Sequence, residues 1–287
     1  MKKLTMVLAV ALILPSCSTD GDGDIYARLN EPKDSMQQTT ISFDLNGSIT
    51  QQPMTRASLA ESQMTDLWLF DYMGDVLQTT IHQSSEDDGF GGITLTADYG
   101  DHTFYFIASR GDTPTIDGTT ISWLKPSDTF WASKAITIEP ETTGTQSITL
   151  HRVVTRLRIA VTDEVPANLK TISVTPTVWY CGLDYRTTEP TAISTSPRTV
   201  NVPSSYIGTT GYLALNIYGF CPSDGFETDI TVSASDADAA EIASVSLSDV
   251  PLLRNRITSY SGSLFSEATS LSFETDDEWG DDYEHTW

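Results

Sequence analysis

Cysteine is scarce in this sequence, with only Cys17, Cys181 and Cys221 in 287 residues. Neither these nor the four scattered histidines (His82, His102, His151, His285) show zinc-ligand spacing. Basic residues are few as well: 16 Lys and Arg face 39 Asp and Glu. So acidic a surface is repelled by nucleic acid and by anionic lipid heads, and neither is expected as a partner. No apolar run approaches the 18 or so residues of a membrane-spanning helix. Missing too are a Gly-x-Ser-x-Gly elbow, a His-Glu-x-x-His pair, a Walker loop and a Rossmann glycine fingerprint. Gly89-Phe90-Gly91-Gly92 follows Asp87-Asp88 rather than a strand and reads as a loop. Carboxylate catalysis needs an enclosed acid with a raised pKa, whereas the acids here fall largely in polar runs. The expectation is a protein that is not an enzyme, with no cofactor and no metal.

What is present begins at the N-terminus. Met1-Lys2-Lys3 is a short basic segment, and Leu4 to Leu14 is an apolar run suited to a signal peptide. It ends in Leu14-Pro15-Ser16-Cys17, which resembles the lipobox of bacterial lipoproteins. That resemblance implies cleavage before Cys17, acylation of Cys17, and outer-membrane lipid as a partner, since each buried methylene adds about 0.8 kcal/mol to membrane binding. Removing residues 1–16 leaves 14 basic residues against 39 acidic ones in a chain long enough for two domains.

Residues 17–38 are rich in Gly, Asp, Pro and Gln and read as a flexible tether. Asp20, Asp22, Asp24 and Glu31 match four ligand positions of an EF-hand loop. Ile25 stands where the turn needs Gly, and no helical pattern flanks the segment, so calcium is not expected there. An acidic stretch after the lipidated Cys also resembles the signal that sends Bacteroidetes lipoproteins to the cell surface.

From Thr39 the apolar period is two, the mark of strands. Ile41, Phe43 and Leu45 share one face of the first. Leu67–Phe70 and Val76–Ile81 flank Tyr72-Met73-Gly74-Asp75 and form a hairpin. Ile93–Ala97 and Thr103–Ile107 make another pair joined through Tyr99-Gly100-Asp101. Short strands are expected at Ile136–Ile138 and Ile148–Leu150. Leu157, Ile159 and Val161 alternate with Arg156, Arg158 and Thr162, which predicts a half-buried strand with its basic residues outward. Further strands are expected at 171–178, 212–218, 230–234, 245–247, 257–265 and 271–273, and a short helix at Ser58–Gln63. The spacing of turn signals is that of β-sandwiches.

Two strand patterns separated by His151-Arg152 place a domain change there: an N-terminal β-sandwich over 39–151 and a C-terminal one, with an acidic tail, over 152–287. Cys181 and Cys221 each end a strand pattern, and they are either one disulfide or two buried thiols. Trp68, Trp123, Trp131 and Trp179 lie in or beside strand patterns and are expected in the core. Trp279 and Trp287 are expected outside it, leaving a surface glycan-binding lipoprotein as the alternative function.

Three segments carry a family likeness. They are Thr65-Asp66-Leu67-Trp68-Leu69-Phe70-Asp71-Tyr72-Met73-Gly74, Leu150-His151-Arg152-Val153-Val154-Thr155-Arg156-Leu157-Arg158-Ile159 continued by Asp163-Glu164-Val165-Pro166, and Leu253-Arg254-Asn255-Arg256-Ile257-Thr258 leading to Gly262-Ser263-Leu264-Phe265. With the lipobox and tether, they resemble the fimbrillin-type proteins of Bacteroidales, which form the subunits, anchors and tips of type V pili. The resemblance implies a transthyretin-like β-sandwich in each domain, a fimbrial location, and other fimbrial subunits as partners through strand exchange. In shaft subunits of that family an Arg-directed protease cuts after the first strand, and anchor members keep their lipid. Arg56 is the candidate processing site here. It ends a stretch, Gly47 to Thr55, that loses alternation and contains Pro53. Arg28 lies within the tether, where a cut frees no strand.

Overall fold

A computed structural model describes residues 37–45, 49–51, 55–57, 64–211, 213–266 and 270–276. Cys17, the EF-hand-like acids, Arg28, the helix expected at 58–63, Trp279 and Trp287 lie outside the described residues.

The described residues are nearly all β. In chain order the strands are β1 (Gln38–Asp44), β2 (Ile49–Gln51), β3 (Thr55–Ala57), β4 (Asp66–Met73), β5 (Val76–Ser84), β6 (Gly92–Asp98), β7 (Gly100–Ser109), β8 (Thr115–Asp117), β9 (Thr120–Ser122), β10 (Thr129–Ile138) and β11 (Thr145–Ser147). They continue with β12 (His151–Arg152), β13 (Val154–Val161), β14 (Thr171–Pro176), β15 (Tyr180–Asp184), β16 (Pro190–Ile193), β17 (Arg198–Asn201), β18 (Leu213–Phe220), β19 (Phe226–Ser235), β20 (Glu241–Leu252), β21 (Ile257–Ser263) and β22 (Ser270–Asp276). One 3₁₀ turn, Ser204–Tyr206, interrupts them.

Two sandwiches result. A three-stranded sheet, β11-β1-β6, faces a five-stranded sheet, β12-β10-β7-β4-β5. Between them lie Ile41, Phe43, Leu67, Leu69, Ile93, Phe104, Phe106 and Phe130. The second sandwich sets an eight-stranded sheet, β22-β21-β13-β18-β15-β9-β8, with β16 also on β15, against β17-β14-β19-β20. Leu157, Ile159, Val174, Trp179, Leu215, Val232 and Leu252 fill it. The hairpin β8–β9 precedes His151-Arg152 in sequence yet pairs with β15, which follows it.

A third apolar cluster joins the sandwiches. Phe70 and Tyr72 of β4 and Tyr105 and Ile107 of β7 pack with Leu183, Tyr185, Tyr218 and Phe220. This explains the unbroken apolar run in β4: Leu67 and Leu69 face the first core, and Phe70 and Tyr72 face the junction. A strand covered on both faces needs no polar side.

The structure departs from the sequence expectation at four places. The strands at Ile93–Ala97 and Thr103–Ile107 do not pair; β6 pairs with β1, and β7 with β4 and β10. Between them Gly100, at φ +139° and with Met73 Cε 2.8 Å from where a Cβ would stand, turns the chain from one sheet to the other. Ile148–Leu150 is a link between β11 and β12, its apolar side chains buried in the first core. Arg156 points inward and is buried, because β13 runs between β18 and β21 with its Val154 end covered by the junction. The stretch before Arg56 contains strand rather than loop: β2 and β3 form a small hairpin in which Thr50 faces Arg56.

Candidate functional site

The first strand, which precedes the candidate processing site Arg56, is the place where backbone pairing and core packing meet. β1 is the middle strand of its sheet, parallel to β11 (Phe43 opposite Gln146) and antiparallel to β6 (Ile41 opposite Leu95, Phe43 opposite Ile93). Alternation puts Ile41, Phe43 and Leu45 inside, each at most 1% exposed. The Phe43 ring lies 4.8 Å from Phe104 and 5.1 Å from Phe106, both on the facing sheet. On the outer face the Ser42 and Thr94 hydroxyls are 2.9 Å apart, and Gln38 donates to Asp98 at 2.8 Å. Beyond the strand, Leu45 N–H donates to Gly91 O at 2.9 Å and Ile148 N–H to Asp44 O at 3.1 Å. Each large apolar side chain buried there contributes about 1.5–3 kcal/mol. The site therefore offers an extended segment two rows of backbone partners and a groove for alternate apolar side chains. Arg56 follows it in β3, so a cut there separates β1 from β4 and everything after it.

Polar groups stand on the core side of the facing sheet, beside Phe104. His102 of β7 bonds through Nδ1 to Asp71 of β4 at 2.7 Å and through Nε2 to Asp98 O at 2.9 Å. This ties the corner between β6 and β7 to the centre of the five-stranded sheet. Burial raises the Asp71 carboxyl above its ordinary pKa, opposed by the hydrogen bond and charge of His102. Among the described residues no group of three or more His, Cys, Asp or Glu could hold a metal ion. No helix among them is long and apolar enough to cross a membrane.

The segments that carry the family likeness meet in space. β13 and β21 are parallel neighbours, with Arg156 opposite Ile257. Arg152 grips Asp128 with Nε at 2.6 Å and Nη2 at 2.9 Å, and reaches Asn255 Oδ1 at 3.2 Å. Asn255 sits at φ +57° and donates its N–H to Val154 O at 2.8 Å. Arg254 donates to Cys221 O at 2.8 Å and to Thr188 O at 3.0 Å. In the sequence these arginines were part of a pattern without partners; Asp128, Asn255 and Thr188 lie too far along the chain to be read as such.

Cys181 and Cys221 are two separate buried thiols, the second of the two arrangements open from sequence. Tyr180 faces Phe220 across the ladder, which makes the two cysteines diagonal neighbours, roughly 7–8 Å apart in such a sheet. The Trp179 ring, 2.7 Å from where a Gly219 Cβ would stand, crosses that diagonal. Cys181 Sγ instead accepts from Arg198 at 2.8 Å, and Cys221 Sγ donates to Leu252 O at 3.4 Å. Of the tryptophans expected inside, Trp123 and Trp179 are buried and Trp68 and Trp131 half-buried.

The model of a family of unknown function (DUF6562) matches residues 116–287, more than half of the chain. The chain belongs to this family. Its matched region runs from the β8–β9 hairpin to the C-terminus, and so includes the second sandwich with the hairpin that extends its sheet. No curated protein matches the sequence. Among solved structures, a candidate cell adhesion protein from Bacteroides ovatus ATCC 8483 is similar over 86% of this chain and 100% of that one, at 11% identity and a TM-score of 0.55. A candidate adhesin from Bacteroides thetaiotaomicron VPI-5482 is similar over 84% and 97%, at 10% identity and a TM-score of 0.50. The tip fimbrial protein Mfa3 from Porphyromonas gingivalis, with a C-terminal truncation, aligns over 83% and 98%, at 10% identity and a TM-score of 0.43. At such identities the likeness is one of fold.

Proposed function

We propose that this chain is a lipid-anchored fimbrial component, held to the outer membrane at the cell surface through acylated Cys17, that anchors or assembles a fimbrium by β-strand exchange and so supports adhesion. The observation that carries the proposal is the place of β1, central in a three-stranded sheet with its apolar side chains enclosed. Loss of the chain up to Arg56 would uncover Phe104 and Phe106 and leave the inner edges of β6 and β11 unpaired. A donor strand with apolar residues at alternate positions fits such a groove, and its binding needs no catalytic residue. The fold shared with candidate adhesins of two Bacteroides species supports a role in adhesion. On this proposal the halves 39–151 and 152–287 are transthyretin-like domains meeting at His151-Arg152, the first lending its β8–β9 hairpin to the second, behind a signal peptide (1–16) and a tether (17–38). An anchor keeps β1 and its lipid; a shaft subunit loses both.

The test is two-fold. Metabolic labelling with a palmitate analogue should mark the native protein and not Cys17→Ala. Labelled Cys17→Ala would remove the anchor. Treatment with an Arg-specific protease should cut at Arg56, release β1 and yield oligomers. A chain that is cut there yet keeps β1 and stays monomeric would end the exchange proposal.

A further inference from the structure

β6 is held at both of its ends by side chains of the facing sheet. At its start Gln83 of β5 donates through Nε2 to Gly92 O at 2.8 Å and accepts from Gly91 N–H through Oε1 at 3.1 Å. One side-chain amide thus makes the paired bonds that a neighbouring backbone would make. At its end His102 Nε2 lies 2.9 Å from Asp98 O. A carbonyl only accepts, so Nε2 carries the proton, and Asp71 holds the other ring nitrogen at 2.7 Å. His102 and Asp71 are 2% and 1% exposed. The chain itself adds a tether at each end. Residues 85–91 join β6 to β5 in turns closed by Asp87 N–H on Ser84 O and Gly92 N–H on Gly89 O, and Tyr99 alone separates β6 from β7. None of these holds passes through β1. β11 is placed otherwise. It is three residues long, runs parallel to β1 over Ser42–Asp44, and is followed by Ile148, whose N–H donates to Asp44 O of β1. β6 pairs with β1 along its whole length, Gln38–Asp44.

We infer that β6 is the fixed template on which an incoming strand docks, and that Gln83 and His102 are the positioning residues that keep it in place while the groove is empty. The inference rests on the strand-exchange reading of β1. Without β1, Phe104 and Phe106 face water, and the hydrophobic effect draws the flanking strands together over them. A groove that closes in this way takes up a strand only from its open fraction, so association slows by that fraction. Gln83 and His102 oppose closure, because each fixes one end of β6 to a strand of the sheet that carries the two phenylalanines. β11, aligned on β1 over three residues, adds to the new strand afterwards. This order of docking also defines the partner. It is an extended segment that runs antiparallel to β6 and sets apolar side chains in the places of Ile41 and Phe43, opposite Leu95 and Ile93. Between them a small hydroxyl side chain meets the Thr94 hydroxyl, as Ser42 does at 2.9 Å.

The experiment uses the whole chain cut at Arg56 and diluted, so that the freed segment leaves, with a fluorescent peptide of residues 38–45 as the incoming strand. Anisotropy gives the rates of uptake and release, and circular dichroism checks that each variant is folded. Gln83 is half-buried, and Gln83→Met keeps its length while removing both amide bonds. Gln83→Met should slow uptake about tenfold and leave release within about twofold of wild type, since the docked strand itself is unchanged. His102→Gln should act in the same direction. If the two side chains only staple the fold, urea titration of the uncut variants shows lower stability while uptake by the cut chains stays at the wild-type rate. That result would overturn the inference. A wild-type chain that takes up no peptide would remove strand exchange, and the template with it. The two failures are distinct, because the first appears only in the variants and the second already in the wild type.

Discussion

The Tyr72 hydroxyl lies 2.8 Å from the Tyr185 hydroxyl in a buried contact that joins β4 to the end of β15 across 113 positions of sequence. Tyr185 gives its single proton to Gly118 O at 3.1 Å, so Tyr72 is the donor between the two phenols. The Phe70 ring stacks on Tyr185 at 3.9 Å, and Trp131 Nε1 donates to Tyr185 O at 2.7 Å. Tyr185 thus ties β4 and the β8–β9 turn through its side chain, and β10 through its main-chain carbonyl, to the second sandwich.

Tyr185→Phe should therefore cost about 1–3 kcal/mol, because it leaves a buried phenol and a carbonyl without their partner. Tyr185→Ala should cost about 3–5 kcal/mol by adding a cavity. Urea titration gives both values. A double-mutant cycle of Tyr72→Phe with Tyr185→Phe should show coupling above about 0.5 kcal/mol.

Truncation of Phe43 to Ala should cost about 3–5 kcal/mol, since its ring fills the space beside Phe104 and Phe106. Ser42→Ala, on the outer face of the same strand, should change the unfolding free energy by less than about 0.5 kcal/mol. Equal effects would mean that β1 is not held by its apolar face.

Stability should fall at alkaline pH. Burial pushes the Cys221 thiol from 9.0 up to about 12, and burial with the Tyr72 hydrogen bond raises the Tyr185 phenol. The folded state then keeps protons that the unfolded chain releases, so this stability is whole below pH 9 and lost as pH rises toward 12. Melting temperature followed from pH 7 upward should decline from about pH 9, and Cys221→Ala should soften the decline.

Cys181 and Cys221 should both be alkylated after denaturation without reductant, and neither while folded, because both are buried free thiols. Mass spectrometry counts the added groups. A pair protected in the denatured, unreduced chain would show a bridge.

Asp128→Asn should cost about 3–5 kcal/mol by stranding the buried Arg152 guanidinium, read from the same urea titration.

The sequence by itself determined where the chain is extended and which side chains face a core. Ile41, Phe43 and Leu45 alternate because successive residues of a strand point to opposite faces, and that period is legible without a partner. The hairpin at Gly74-Asp75 is equally local. Partner choice is not local, since every strand offers the same N–H and C=O groups to any other. Hence β6 and β7, adjacent in sequence, stand in opposite sheets, and the β8–β9 hairpin serves a sheet built mostly from residues beyond His151-Arg152. Burial of polar groups likewise waits on tertiary structure. Alternation along β13 sets Arg156 outward, yet it is buried where the junction covers that end of the strand, and the partners of Arg152, Asp128 and Asn255, arrive only with the fold. The middle position of β1 and the grip of Gln83 and His102 on β6 belong to the same class: they depend on sheet order, which only long-range hydrogen bonding decides.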